Sequence, residues 1–191
     1  MTVHLETARL LFRDHELADL EPFCEMESDA EYHAPQRVHP RETLERKFRE
    51  GPLRPKAFGL LATVFKPEGR YIGRCGLYPF RDQRGELVPG DAFIAWYLAR
   101  PYWRRGLATE AGEGWIAHGF DTLGLRRIEA GVNAANAASL RVIEKLGFHW
   151  VRSGGDEHTQ WHDFELWNPS LERTSTTRGP IHGTRDPHPP R

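Results

Sequence analysis

Two stretches of this 191-residue chain combine residue types that could do chemistry. The first is Trp96-Tyr97-Leu98-Ala99-Arg100-Pro101-Tyr102-Trp103-Arg104-Arg105-Gly106-Leu107-Ala108-Thr109-Glu110-Ala111. An apolar run ends, a short loop carries two adjacent arginines and a glycine, and helix-forming residues follow. The first N–H groups of a helix have no intrahelical partner, and the macrodipole adds partial positive charge there. Gly106 lets the backbone approach a phosphate closely, Ala108 keeps the first turn small, and Arg104 and Arg105 can add charge. The stretch reads as an anion site; the plainer reading is a solvated arginine pair at an ordinary strand–helix turn. It is not a P-loop, because no G-K-[ST] follows, and it is not G-x-G-x-x-G.

The second stretch runs from Asn133 to Phe148. Asn136 is a natural N-cap with Ser139 at N3, and Leu140 and Ile143 share a core-facing side. Capping alone accounts for Asn136. A second helix N-terminus in a β–α–β unit nevertheless faces the crevice at the carboxyl ends of the strands. Two such termini suit a ligand with phosphates at one end and amides along its length.

The elements that must position these residues are legible as runs and breaks. Strands are expected over Leu5–Arg13, Phe58–Phe65, Tyr71–Tyr78, Ala92–Ala99, Arg127–Val132, His149–Val151 and Trp161–Trp167, with a polar loop over Asp82–Gly90. Helices are expected over Glu16–Glu27, from Pro40 to Glu50, over Gly106–Leu123 and over Ala137–Leu146, the last stopped by Gly147. Antiparallel hairpins come first and β–α–β–α–β follows, which is an α/β (α+β) arrangement, a mixed sheet with helices packed on it.

Composition sets the frame. With 39% apolar residues, a sizeable core is available. A formal net charge of −1 offers no overall basic field, so neither nucleic acid nor an anionic membrane is an expected partner. Cys24 and Cys75 make no C-x-x-C pair, and no metal site is expected among the scattered histidines. The N-terminus has acids and arginines where a signal peptide needs an apolar run, and no stretch approaches a membrane span; a cytoplasmic protein is expected. Residues 1–167 read as a single domain. Residues 168–191, rich in Pro, Thr, Arg and His, read as a flexible C-terminal tail.

Together the two stretches resemble the GNAT superfamily of acyl-CoA N-acyltransferases, most closely its RimJ/RimL-like branch. The resemblance covers about residues 3–167. Leu5-Glu6-Thr7-Ala8-Arg9-Leu10 resembles that branch's first strand. Trp103-Arg104-Arg105-Gly106-Leu107-Ala108 fits the family's pyrophosphate loop, Q/R-x-x-G-x-G/A, with Trp103 in the Q/R place. Asn136 and Ser139 followed by Glu144-Lys145-Leu146-Gly147-Phe148 resemble the branch's later signature.

The resemblance implies a GNAT-like fold: a mostly antiparallel twisted sheet of about 6–7 strands, a splayed central pair, and helices on both faces. It implies acetyl-CoA as co-substrate and a monomer or homodimer. The pantetheine amides would pair with the strand edge at Trp96, Tyr97 and Leu98, where a backbone N–H near Leu98 polarises the thioester carbonyl. The pyrophosphate would rest on amides of Arg104, Arg105, Gly106, Leu107, Ala108 and Thr109. Asn136 would reach the pantetheine, and Ser139 would protonate the leaving thiolate. Arg141 and Lys145 read as a solvated helix face in preference to outer-phosphate contacts. In many relatives a strand glutamate takes the amine's proton; Phe93 holds that place here. Asp91, two residues earlier on the same strand face, is a candidate base, with Asp163, His162 and Glu110 as rivals.

The resemblance implies a primary amine as acceptor. Glu21, Glu25, Glu27, Asp29 and Glu31, then Asp156, Glu157, Asp163 and Glu165, would suit a cationic one, with Tyr32, His33, Trp161 and His162 as an amphipathic wall; ordinary surface acids are the simpler reading. The alternative function is a non-catalytic acyl-CoA-binding or regulatory module on the same fold. A ribosome- or nucleic-acid-binding domain using Arg100, Arg104 and Arg105 is disfavoured by the charge balance.

Overall fold

The first strand expected from the sequence is two strands, and the reason is local. In the computed structural model, which describes residues 2–29, 39–52, 59–82, 84–155 and 160–171, the run Leu5–Arg13 breaks at Thr7. The Thr7 amide donates to the Leu10 carbonyl at 2.9 Å, and Thr7 Oγ1 accepts from the Leu10 amide at 3.1 Å. This side-chain-supported turn separates β1 (Val3–Glu6) from β2 (Leu10–Arg13). The sheet therefore has eight strands where six or seven were expected.

A 3-10 turn at Leu17–Asp19 leads into α1 (Leu20–Glu27) and α2 (Arg41–Glu50). Then come β3 (Gly59–Phe65), β4 (Arg70–Arg81), β5 (Leu87–Leu98), α3 (Leu107–Ala117), β6 (Arg127–Asn133), α4 (Ala137–Lys145), β7 (His149–Gly155) and β8 (Gln160–Trp167). The hydrogen-bonding order is β1-β2-β3-β4-β5-β6-β8-β7. Neighbours β1 to β4 pair antiparallel, as do β6–β8 and β8–β7. The pair β5–β6 is parallel, and its ladder covers Asp91↔Arg127, Ala92↔Ile128 and Phe93↔Glu129. The expected loop at Asp82–Gly90 is shorter. Asp82 Oδ1 accepts the amides of Arg84 at 2.9 Å and Glu86 at 3.0 Å, which closes the turn and lets β4 and β5 extend toward it. The helix expected to reach Leu123 changes after Ala117 into a π-helical turn, His118–Thr122.

The chain divides into two compact units, Met1–Leu77 with Ala95–Trp115 and Tyr78–Ile94 with Ile116–Arg191. In the first, Phe23 and Cys24 of α1 and Leu44 and Phe48 of α2 close over Ala62 of β3 and Tyr71 of β4. Ala62's neighbour Thr63 pairs with Phe12 of β2, whose ring meets Trp115 of α3 edge-on at 5.3 Å. Successive strand residues point to opposite faces, so α1 and α2 cover one face of these strands and α3 the other. In the second unit Ile128, Ala130 and Val132 of β6 and Ile143 of α4 are buried.

Asn168, the first residue of the expected tail, directly follows β8. Asn168 is buried, its Nδ2 donates to the Leu125 carbonyl at 3.0 Å, and its Oδ1 accepts the Ser170 amide at 2.9 Å. An amide side chain that replaces lost water bonds in this way has reason to stay in the fold. Residues 172–191 of the expected tail lie outside the described residues, as do Glu31, Tyr32, His33, Asp156 and Glu157.

Cys24 and Cys75 are both free and buried. Burial pushes the Cys75 thiol up to about 12 and raises that of Cys24 as well. The thiolate is the reactive species, so neither cysteine should react with Ellman's reagent at pH 8 in the native protein, and both should react in guanidinium chloride. A native-state reaction as fast as the denatured one would contradict this packing.

Candidate active site

The arginine–glycine loop is built from left-handed backbone. Arg104 has φ 59° and Gly106 φ 75°; among the described residues Arg104 is the only non-glycine with positive φ. Such a conformation costs a side-chain-bearing residue of order 1–3 kcal/mol and tends to be kept at functional sites. Helix α3 starts next: the Glu110 amide donates to the Gly106 carbonyl at 3.0 Å, so the amides of Leu107, Ala108 and Thr109 precede the first intrahelical bond. Gly106 is exposed, whereas the Leu107 side chain is 1% exposed and anchors the helix. Arg105 is exposed, and its guanidinium lies over Phe65 at 4.6 Å and Tyr102 at 5.1 Å.

Trp103, in the Q/R place, has a bonded role that its spacing did not reveal. Its Nε1 donates to the Leu98 carbonyl at 2.6 Å and ties the loop to the end of β5. The Ala99 amide donates to Ile72 of β4 at 2.8 Å. Backbone groups alternate along a strand, so the N–H groups of Leu98 and Trp96 point to the opposite edge of β5, away from β4. Tyr97 is held on the β4 side: its ring lies 4.9 Å from the Arg74 guanidinium, and burial raises its hydroxyl pKa. Gly73 of β4, at φ 146°, passes so close that a Cβ there would strike the Tyr97 carbonyl oxygen.

Glu110 is a fastening and not a free base. Its Oε1 accepts Thr7 Oγ1 at 2.6 Å and the Arg9 amide at 2.7 Å, and its Oε2 accepts Arg9 Nε at 2.6 Å. Burial pushes the carboxyl up, but the bonds from Thr7 and Arg9 outweigh it, and the net pKa is lowered from 4.5. A depressed carboxylate stabilises the fold fully above its unfolded value and loses that contribution as pH falls through the folded value. Glu110→Gln should therefore lower the urea midpoint at pH 7, with the gap to wild type closing as pH falls below about 4.5. A gap unchanged from pH 7 to pH 3.5 would remove the charge-based account.

In the second unit Asp91, the candidate base, is enclosed and holds two arginines. Its side chain has 0% exposure. Oδ1 accepts Arg126 Nη2 at 2.7 Å, and Oδ2 accepts Arg127 Nη2 at 2.6 Å. Arg127 also pairs with Glu129 at 2.6 Å and Glu165 at 3.3 Å. The sequence placed Asp91 at a loop edge; extension of β5 and pairing with Arg127 bury it instead. Phe93 packs on Tyr78 at 5.2 Å and lies over Gly131, where an added Cβ would be 3.2 Å from Phe93 Cζ and 3.5 Å from Asp163 Oδ1. Asp163 Oδ2 accepts Arg152 Nε at 2.8 Å. His162 Nδ1 shares a hydrogen bond with Ser153 Oγ at 2.7 Å.

Asn136 caps α4 through Oδ1, which accepts the Ser139 amide at 3.0 Å. Asn136 is exposed and Ser139 half-buried. The cap leaves the Asn136 Nδ2 donors and the Ser139 hydroxyl outside that bond.

The expected acidic lining is largely neutralised. Glu21 pairs with Arg41, Glu27 with Arg74 at 2.8 Å, and Asp29 with Arg100 at 3.5 Å. Within the first unit a cavity of about 230 Å³ lies between α1, the start of β4 and the segment after β5. Glu25, Asp29, Arg70 and Arg100 bring both signs of charge to it, over Met26 and Ile72. Among the described residues no group of three His, Cys, Asp or Glu could hold a metal ion, and no helix is long and apolar enough to cross a membrane.

Three comparisons bear on this arrangement. The family described as an acetyltransferase (GNAT) domain matches residues 9–149. A Bacillus licheniformis protein named Uncharacterized N-acetyltransferase p20 is 31% identical over 151 residues, which span 75% of this chain and 81% of that protein. The crystal structure of a GNAT-family acetyltransferase from Bacillus anthracis matches with a TM-score of 0.74 at 20% identity, over 87% of this chain and 99% of that one. The structure of yncA from Salmonella typhimurium, solved with its cofactor acetyl-CoA, matches with a TM-score of 0.64 at 17% identity, over 87% and 94%.

Proposed function

This chain belongs to the GNAT acetyltransferase family, and from that premise we propose that it moves an acetyl group from acetyl-CoA directly to a primary amine in a ternary complex. The acceptor is a protein N-terminus or a small cationic amine. The observation that carries the reading is the Arg104–Gly106 loop, with two left-handed residues opening onto the unbonded first amides of α3. This is where a pyrophosphate would be held. The cofactor's fit is supported by Gly106, where nothing but an Arg9 nitrogen at 3.6 Å stands near the missing Cβ. Placement in the RimJ/RimL-like branch rests on the Leu5–Leu10 and Asn136–Phe148 motifs.

In this reading the amine nitrogen forms a bond to the thioester carbon, the C–S bond breaks, and the amine sheds a proton to water, which restores the one that Ser139 gives to the thiolate. The Leu98 N–H, turned away from β4, polarises the carbonyl. Asn136 Nδ2 contacts the pantetheine, and the Ser139 hydroxyl protonates the departing thiolate; both assignments rest on the motif. With Asp91 and Glu110 enclosed, the reading needs no dedicated carboxylate base, because positioning two reactants supplies much of the acceleration. Phe93 keeps one other reading open, a non-catalytic acyl-CoA-binding module.

Calorimetric titration with acetyl-CoA, with ATP as control, is the first test, followed by free-thiol release with a panel of amines. Selective binding with turnover supports the transferase, and binding without turnover on any amine favours the module. No acetyl-CoA binding by the folded protein overturns both.

A further inference from the structure

We infer that Arg9, in the turn between β1 and β2, is a positioning residue for the phosphate loop nearly a hundred residues later; the inference rests on that loop being the acetyl-CoA phosphate site. Arg9 is fixed from several directions. Its carbonyl accepts the Lys66 amide at 2.9 Å, and its amide and Nε donate to the Glu110 carboxylate. Its Nη1 donates to the Arg105 carbonyl at 3.0 Å, in the middle of the loop. Its Nη2 lies 3.6 Å from where a Cβ on Gly106 would stand.

A planar guanidinium can hold two acceptors in one fixed geometry, which an ammonium cannot do. Here the two acceptors are the Arg105 carbonyl and a carboxylate on the first turn of α3. Arg9 therefore fixes the loop relative to the helix whose amides it precedes. The Arg105 peptide lies between two left-handed residues, Arg104 and Gly106. Such backbone persists only where its surroundings hold it, and the Arg9 bond to Arg105 is one such hold. This also gives Thr7 and Arg9 of the first-strand motif a role: Thr7 makes the turn and shares Glu110, and Arg9 reaches the loop.

The test compares two acetyl donors. Acetyl-CoA carries the pyrophosphate; S-acetylpantetheine lacks it. Calorimetry reads the first and ligand-observed NMR the second, for wild type, Arg9→Gln and Arg9→Lys, with the thermal midpoint of each ligand-free protein recorded. Loss of a charge-assisted bond predicts a roughly tenfold or greater rise in the acetyl-CoA Kd for Arg9→Gln. S-acetylpantetheine affinity should stay within about twofold of wild type. Arg9→Lys should recover little, since it restores charge without the fork. Equal weakening of both donors would reduce Arg9 to a general stabiliser and overturn the inference, as would unchanged acetyl-CoA affinity or full rescue by lysine. If Arg9→Gln does not fold, Arg9→Lys carries the same comparison. Gly106→Trp separates the two levels: if it too leaves acetyl-CoA binding intact, the loop reading has failed, whereas if it abolishes binding and Arg9→Gln does nothing, only the Arg9 inference has.

Discussion

Gly106→Trp should abolish acetyl-CoA binding while leaving the protein folded. Gly106 is exposed, has φ 75°, and sits where the first free amides of α3 begin. Its missing Cβ has only Arg9 Nη2 for company, at 3.6 Å, so an indole there finds room over the loop and fills the approach a phosphate needs. The positive φ adds strain of about 1–2 kcal/mol for any side chain, which Gly106→Ala measures alone. We expect the alanine variant to lose affinity modestly and the tryptophan variant to lose at least about 100-fold, roughly 2.7 kcal/mol. Calorimetry with acetyl-CoA, on variants with cooperative thermal unfolding, checks both. Wild-type affinity in a folded Gly106→Trp protein would remove the loop as the phosphate site.

Asp91→Asn should destabilise the protein more than it disturbs acetyl-CoA binding. Asp91 is enclosed, and its two oxygens hold Arg126 and Arg127. The Arg127 guanidinium is itself packed over Phe80 at 5.5 Å and Trp167 at 5.4 Å. Removing one partner of a buried ion pair leaves an uncompensated charge and costs about 3–5 kcal/mol. Arg126 is 42% exposed and regains water, so the lower end applies, about 3 kcal/mol. For a chain of this length that lowers the thermal midpoint by roughly 6–12 °C. An unchanged midpoint with collapsed turnover would restore Asp91 as the base.

The loop and the α4 start were legible because both are local events. Gly106 before a helix, and Asn136 three residues before Ser139, are written in consecutive residues, and the folded chain uses them as caps and turns. The break at Thr7 is not legible for a related reason: its run is apolar enough for one strand, and only the bond between its hydroxyl and the Leu10 amide makes the turn. The acidic residues near α1 were legible as acids but not as partners, because Arg41, Arg74 and Arg100 reach them only after folding.

The sequence by itself determined the family, most of the strands and helices in their order, and the position of the arginine–glycine turn. Each depends on residue type at short range: backbone freedom at glycine, capping by asparagine, and alternation along strands. Tertiary structure alone decided what each charge is for. Glu110 meets Thr7 and Arg9, Asp91 meets two arginines, and Trp103 closes on Leu98, each through a contact with a geometry that no spacing encodes. A carboxylate's chemistry depends on what surrounds it, through burial and the bonds it accepts, and those neighbours exist only once the chain has folded.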